Sequence, residues 1–163
     1  MADLIGWKRV ARAFIAEGKL AEQEGRYGDA AVSYLDTIRF GHECRRGGLM
    51  IDMLVGVACE SLGCQGLQAL AEQLKPAECR EAARQLDQIE SKAQSAPEIA
   101  AQEQDWSRQT FGWRARLATL VMGRNLQQVA QKTLGKLQAQ QRTERLLKLE
   151  LEKRGSELDH RSQ

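Results

Sequence analysis

The chain has 163 residues, of which 42% are apolar and 28% charged, and its formal net charge is +2. This balance is typical of globular proteins, so it excludes wholesale disorder and a fibrous repeat, and the length suffices for one domain with a single core. Good helix formers dominate, and the only prolines are Pro76 and Pro97. We therefore expect an all-α fold, an irregular bundle of about five to six helices.

The amino-terminal segment, residues 4–41, predicts a hairpin of two helices. Apolar residues recur at helical spacing from Leu4, and Gly25 interrupts the pattern. Asp29 stands where its side chain could cap a second helix that ends near Gly41.

Two small and two aromatic residues would hold this hairpin together. Gly18 and Ala30 would let the helix backbones approach, while Tyr27 and Tyr34 would fill the corner. These residues stand at the spacings of the tetratricopeptide repeat motif, which the segment resembles. The resemblance implies one repeat-like hairpin built into an irregular helical domain, since no second copy follows at a period of about 34 residues.

A third, apolar helix is expected from Leu49 to Leu62, ended by Gly63 or Gly66. Small residues at helical steps would let a neighbouring helix approach it closely, so we place it at the centre of the fold. Asp52 is the one charged residue on that face of small side chains. We expect a structural ion pair for it, and the alternative is an acid in a binding site. The nearest bases for such a pair are Arg39, Arg45 and Arg46.

A longer run, Glu24 to Gly41 followed by residues 46–56, is similar to a group of uncharacterised bacterial helical proteins. That resemblance implies no established activity. Some longer members of the group carry a membrane anchor before the segment. This chain shows neither a secretory signal nor a continuous apolar stretch of about 20 residues. We therefore expect a soluble, cytoplasmic protein, with attachment through an anchor absent from this chain as the alternative.

The carboxyl-terminal half predicts further helices. Residues 67–74 would form a short turn or helix, Pro76 would begin a helix that ends near Lys92, and Pro97 would begin one that ends before Gly123. We divide the chain into a helical domain, 1–123, a long amphipathic helix, 124–155, and a loose tail, 156–163. Residues 147–152 alternate and would also suit a strand.

The long amphipathic helix has an apolar seam of leucines interrupted by two polar residues. Gln140 and Glu144 fall on the same face as Leu137, Leu147 and Leu151. Two successive polar residues on a seam argue against a coiled coil.

The charges are unevenly distributed. Residues 67–105 contain eight acids and four bases, and residues 106–143 contain seven bases and no acid. Tryptophans and arginines alternate in the basic segment at Arg108, Trp113, Arg114 and Arg116, where they could stack on bases or anchor a partner. Alternatively, the aromatics fill the core and the arginines neutralise the acidic segment.

Catalytic and metal-binding patterns are missing from the sequence. The four cysteines form no C-x-x-C pair, and His42-x-Cys44 followed by Cys59 gives only a weak zinc motif. We expect buried free thiols, and no catalytic residue, cofactor or metal. The four cysteines are Cys44, Cys59, Cys64 and Cys79.

These observations lead to three functional hypotheses. The first is a non-catalytic protein-interaction or scaffold module, whose contact surface is either the tryptophan–arginine stretch or a groove beside the first helix near Arg12, Lys19, Arg26 and Tyr27. The second is a nucleic-acid-binding accessory protein. The third is a helical pocket for a small ligand or lipid around Met53, Cys59 and the tryptophans. The second hypothesis would use Arg108, Arg114, Arg116, Arg124, Lys132 and Lys136.

Overall fold

The computed structural model describes residues 4–46, 50–92 and 113–161, with residues 98, 101, 105, 106, 109 and 110 between them. In these residues the protein is all-α, as expected, and residues 147–152 are helical rather than extended. The helices whose bounds lie within the described residues are α1 (Leu4–Gln23), α2 (Tyr27–Arg45), α3 (Met50–Leu70), α4 (Pro76–Ser91) and α5 (Trp113–Arg161). Helix α2 packs on α1, α3 and α4, and α5 packs on α3 and α4.

The corner between α1 and α2 depends on Gly25. Its φ of 73° lies in the left-handed region that glycine adopts without strain, and the Arg26 N–H donates to the Ala21 carbonyl at 2.8 Å to close the turn. The predicted cap is wrong by three residues: Arg26 is the N-cap and Asp29 lies in the first turn of α2. There its exposed carboxylate pairs with Arg26 Nη1 at 2.5 Å, and a negative charge in the first turn is favourable to the helix dipole.

Tyr34 is the wedge of the hairpin, as its spacing predicted. Its side chain is 1% exposed. A Cβ added to Gly18 would lie 2.6 Å from Tyr34 Cε1, and one added to Gly66 would lie 2.6 Å from Tyr34 Cδ1. The ring is therefore held between α1 and α3. Ala30 is fully buried beside it, and Tyr27 packs partly buried on the same core.

The third helix is longer than predicted. It continues to Leu70, through both glycines that we expected to end it, so the turn or helix predicted for residues 67–74 is reduced to a turn at residues 71–73. The glycines serve the close approach instead. Gly63 lies against the Tyr34 carbonyl and Gly56 against the Gly41 carbonyl. The predicted small-residue crossing is confirmed, but α3 shares the centre of the bundle with α2, because each of the two packs against three other helices.

Helix α3 also has the length and composition of a membrane span. The segment Ile51–Leu70 has a mean hydropathy of 1.2, and 44% of it is buried inside the protein. It packs against α1, α2 and α5. The core helix of a bundle has these same properties.

Helix α4 begins at Pro76, as predicted, and the backbone N–H of Lys75 donates to Glu78 Oε2 at 2.8 Å to cap it. Of the helix predicted from Pro97, residues 113–122 form the first part of α5, and most of residues 97–112 lie outside the described residues. The carboxyl-terminal boundaries were wrong, because α5 is one helix of 49 residues that passes through Gly123 and continues past residue 155 into the segment expected to be loose.

Helix α5 packs within the chain, antiparallel to α4. Arg145 Nε lies 2.7 Å from Glu90 Oε1, and Arg80 Nη1 donates to the Gly155 carbonyl at 3.2 Å. The predicted seam is its buried face: Leu137 and Leu151 are 0% exposed, and Leu147 is 3% exposed.

Candidate functional site

The residues of the predicted groove beside α1 do not form one pocket. Arg12 and Lys19 are exposed on α1. Arg26 is exposed too, but it pairs with Glu24 and Asp29, each at 2.5 Å. A polar depression of about 260 Å³ lies at the corner. Its lining residues are Gly25, Arg26, Tyr27, Gly28, Asp29, Lys75 and Glu78.

A different surface of α1 is apolar. Ile5 is 67% exposed and Leu20 is 54% exposed, and Ala13 and Ala16 are exposed between them. At 100° per residue these four positions fall within about 80° of arc, opposite the buried face of the helix. We call them the outer face of α1.

The basic segment is only partly visible. Arg108 lies outside the described residues, and the side chains of Trp113, Arg114, Arg116 and Arg124 lie outside the described part of α5. The structure therefore does not show whether they meet. Lys132 and Lys136 are exposed. Trp106 is 45% exposed, so this indole does not fill the core.

The acidic segment pairs with α5, but beyond the basic segment. Glu72, Asp87 and Glu90 pair respectively with Arg154, Lys148 and Arg145. These three ion pairs therefore do not neutralise the bases of residues 106–143, as one of our predictions required.

The third hypothesis finds no support in the described side chains. Met53 is 1% exposed and packs on Leu137, and Cys59 is 2% exposed and packs on Ala11 and Val55. These residues fill core rather than line a cavity.

All four cysteines are free and buried, as predicted. Burial raises the pKa of each thiol, and that of Cys44 reaches about 12. Thiols that stay protonated are poor nucleophiles and poor metal ligands at neutral pH.

A buried polar cluster lies where α2, α3 and α5 meet, and we call it the charge cluster. Its members are His42 and Arg45 from α2, Glu60 from α3, and Gln140 and Glu144 from α5. Arg45 is 2% exposed and Glu60 is 0% exposed.

Hydrogen-bond distances assign the tautomer of His42. Arg45 Nη2 lies 2.8 Å from His42 Nδ1 and 3.3 Å from His42 Nε2. Because a guanidinium only donates, the shorter contact assigns Nδ1 as the acceptor of a neutral ring, and Nε2 then donates to Glu144 Oε2 at 3.3 Å. Gln140 Nε2 donates to the other oxygen of Glu144 at 3.2 Å.

Glu60 is less well satisfied. Arg45 Nε lies 2.8 Å from Glu60 Oε1, an ion pair whose angle does not make a hydrogen bond, so neither Glu60 oxygen accepts one in the described residues. Arg45 Nη1 also lacks a hydrogen-bond partner there. Unsatisfied buried charges of this kind are expensive.

The pKa values of the two carboxyl groups, Glu60 and Glu144, shift in opposite directions. Burial raises the pKa of Glu60 to about 8, which Arg45 opposes and Glu144 reinforces. Burial also opposes the ionisation of Glu144, but hydrogen bonds from His42 and Gln140 and the charge of Arg45 lower its pKa below the ordinary value. The higher pKa of Glu60 means that a single proton shared by the pair is held on Glu60 rather than on Glu144, and with that proton bound the charges of Glu144 and Arg45 cancel.

Sequence reasoning missed the charge cluster because it singled out Asp52 instead of Glu60. Asp52 is only partly buried. The three bases predicted as its partners form ion pairs with other acids: Arg39 with Asp36, Arg45 with Glu60 and Arg46 with Glu43. The usable signal was the pair of polar residues, Gln140 and Glu144, on an apolar seam.

Comparison of the chain with protein-family models, curated proteins and solved structures finds no match.

Proposed function

We propose that the protein is a non-catalytic helical interaction module that binds a protein partner through the outer face of α1. The exposure of Ile5 and Leu20 is the observation that carries this proposal. The two side chains lie about 22 Å apart along α1, and with the exposed alanines between them they form a stripe that a partner helix could cover.

The composition around these side chains supports the same function. The exposed alanines at positions 13 and 16 leave the centre of the outer face shallow, so a partner helix could approach the α1 backbone. Arg9 lies within the same arc, and Arg12 and Lys19 lie along one edge. The surface therefore suits an apolar partner surface that carries acidic residues beside it.

The opposite side of α1 is committed to the core of this chain. Ala11 is 1% exposed, Ala21 is 2% exposed, and Gly18 lies against the ring of Tyr34. The bundle therefore holds α1 in a fixed orientation, which presents the outer face without a cost of ordering it on binding.

The interaction test compares two exposed aliphatic side chains. The full chain would be used to capture proteins from its native organism, with quantitative mass spectrometry, as wild type, as Leu20→Glu and as Val32→Glu. Val32 on α2 is 48% exposed, so its variant controls for the added charge. We expect Leu20→Glu to lose partners that Val32→Glu keeps. Equal recovery by both variants contradicts the proposal.

Nucleic-acid binding is a second candidate, favoured by one observation. Lys132, Lys136 and Arg142 are exposed on α5, in a segment without acidic residues, and none of them forms an ion pair within the described residues. Phosphate contacts would give an affinity that falls linearly with salt on logarithmic axes.

Fluorescence anisotropy with labelled oligonucleotides tests this candidate. Replacing Lys132 and Lys136 by Gln should weaken binding and reduce the salt slope, and Lys153→Gln serves as the control because Lys153 is also exposed on α5. A flat salt dependence removes the candidate.

A further inference from the structure

The charge cluster contains three groups that can ligate a metal, each from a different helix. His42 offers an imidazole nitrogen, and Glu60 and Glu144 offer carboxylate oxygens, all within 4.8 Å of one another. His42 Nε2 lies 3.3 Å from Glu144 Oε2 and 3.8 Å from Glu60 Oε1. Zinc–ligand bonds of about 2.1 Å place neighbouring ligand atoms of a tetrahedron about 3.4 Å apart, so a small contraction would close the set around one ion.

A separate observation, the Glu60 carboxylate that pairs with Arg45 but accepts no hydrogen bond, points to a further positive ligand. This side chain is fully buried, and neither of its oxygens accepts a hydrogen bond in the described residues. With both carboxylates ionised, the cluster holds two negative charges against the single positive charge of Arg45. A buried excess of negative charge requires one more positive charge beside it, which either a proton or a cation supplies.

A surface depression of about 150 Å³ between α2 and α4 is lined by His42 but not by Glu60 or Glu144. Glu43 lines the same depression, together with the basic residues Arg39, Arg46 and Lys92. An ion that enters here meets His42 first, and side chains must move for it to reach the two carboxylates.

We propose that His42, Glu60 and Glu144 form a binding site for one Zn²⁺ ion. One imidazole with two carboxylates is a ligand set of zinc and of similar first-row dications, whereas Ca²⁺ and Mg²⁺ prefer oxygen ligands alone. The ion joins α2, α3 and α5 through their side chains, so it stabilises the fold whether or not it takes part in any reaction.

Arg45 is the built-in competitor for this ion. It occupies the acceptor position of His42 Nδ1 at 2.8 Å and contacts Glu60 at 2.8 Å. Binding of zinc at Nε2 moves the ring proton to Nδ1, where it would face the N–H of Arg45, so the guanidinium must turn away as the ion enters. Replacing Arg45 should therefore strengthen zinc binding.

The experiment uses the full chain, without a histidine tag, stripped with EDTA and kept reduced. Isothermal titration with Zn²⁺ should show one ion per chain, and thermal unfolding should shift upward with zinc. We expect Glu60→Gln and Glu144→Gln to weaken zinc binding by about 10–100-fold or more, since even groups one shell further out contribute that much.

Two controls separate this site from other zinc binding. Glu43→Gln removes an exposed acid one residue from His42 and should leave the affinity unchanged. Cys79→Ala removes a buried thiol on α4, outside the charge cluster, and it should also leave the affinity unchanged. Arg45→Gln should bind zinc more tightly than wild type. Loss of binding in either control, or weaker binding by Arg45→Gln, overturns the proposal.

A spectroscopic measurement on wild-type protein avoids variants that fail to fold. X-ray absorption of the zinc-loaded chain should show one imidazole and oxygen ligands with no sulfur. A sulfur shell would assign the ion to the cysteines, and titration without heat or a thermal shift would mean that the extra positive charge is a proton. Either result overturns the site.

Discussion

Gly41 of α2 and Gly56 of α3 face each other across the tightest helix crossing described in the protein. A Cβ built on Gly41 would lie 2.6 Å from the Gly56 carbonyl oxygen, and one built on Gly56 would lie 2.5 Å from the Gly41 carbonyl oxygen. Both contacts are with backbone, so no side chain can move aside. This crossing also brings Arg45 of α2 next to Glu60 of α3, so the charge cluster depends on it.

We predict that Gly56→Ala destabilises the protein by about 1–3 kcal/mol, because the added methyl group forces α2 and α3 apart. Gly135→Ala is the matched control. Gly135 lies on α5 with nothing near its Cβ position, so alanine should stabilise the helix by about 0.5–1 kcal/mol. Urea unfolding measures the change in unfolding free energy for each variant. If Gly56→Ala stabilised the protein as Gly135→Ala should, the two helices would not be in close contact at Gly56.

A second prediction concerns Gly18 and Tyr34. Gly18→Ala should cost about 1–3 kcal/mol, because the ring of Tyr34 is held on its other side by Gly66 and cannot retreat. In a Tyr34→Leu background the same glycine substitution should cost less, since the ring is gone. A double-mutant cycle from denaturant unfolding measures this coupling. Additive effects would mean that the glycine and the ring do not contact each other.

The amino-terminal half of the fold was predictable because local residues determine it. Gly25 marks the corner, and Gly18, Ala30 and Tyr34 mark the contact between helices. The same reasoning failed at Gly63, where glycine is equally able to end a helix and to admit a neighbour. Only the partner helix decides between these roles, and no local pattern identifies that partner.

The charge cluster was beyond sequence reasoning for a similar reason. His42 and Glu144 lie 102 residues apart, and nothing in either neighbourhood indicates the other. Glu144 was noticed as a polar residue on a leucine seam, but a seam position shows only that the side chain faces another helix. Which charge it meets depends on the register of α5 against α2 and α3, which long-range packing sets.

The third prediction tests how α5 docks. Leu151 is 0% exposed and Leu149 is 59% exposed on the same helix. Leu151→Ala should therefore cost about 2–5 kcal/mol, and Leu149→Ala should change stability by no more than about 0.5 kcal/mol. Equilibrium unfolding in urea gives both values. Similar small effects would indicate that α5 is not held against the bundle at this point.

The fourth prediction is a loss of stability at alkaline pH. Cys79 is completely buried in the fold, with an exposed fraction of 0%, and burial raises the pKa of its thiol. A raised pKa favours the protonated form in the native state. Its contribution to stability is therefore complete below the unfolded pKa of about 8.5 and declines as pH rises above it, by at most about 1.4 kcal/mol per pH unit.

Cys79→Ala removes the titrating thiol. The quantity to measure is the slope of the unfolding free energy against pH, not its absolute value. Unfolding free energies of wild type and Cys79→Ala, both kept reduced, would be compared between about pH 8 and 10. The variant starts less stable because a buried sulfur is lost, but its stability should fall less steeply as pH rises. The other three buried thiols are present in both proteins and cancel in the comparison. Parallel curves would mean that Cys79 ionises as easily in the fold as in the unfolded chain.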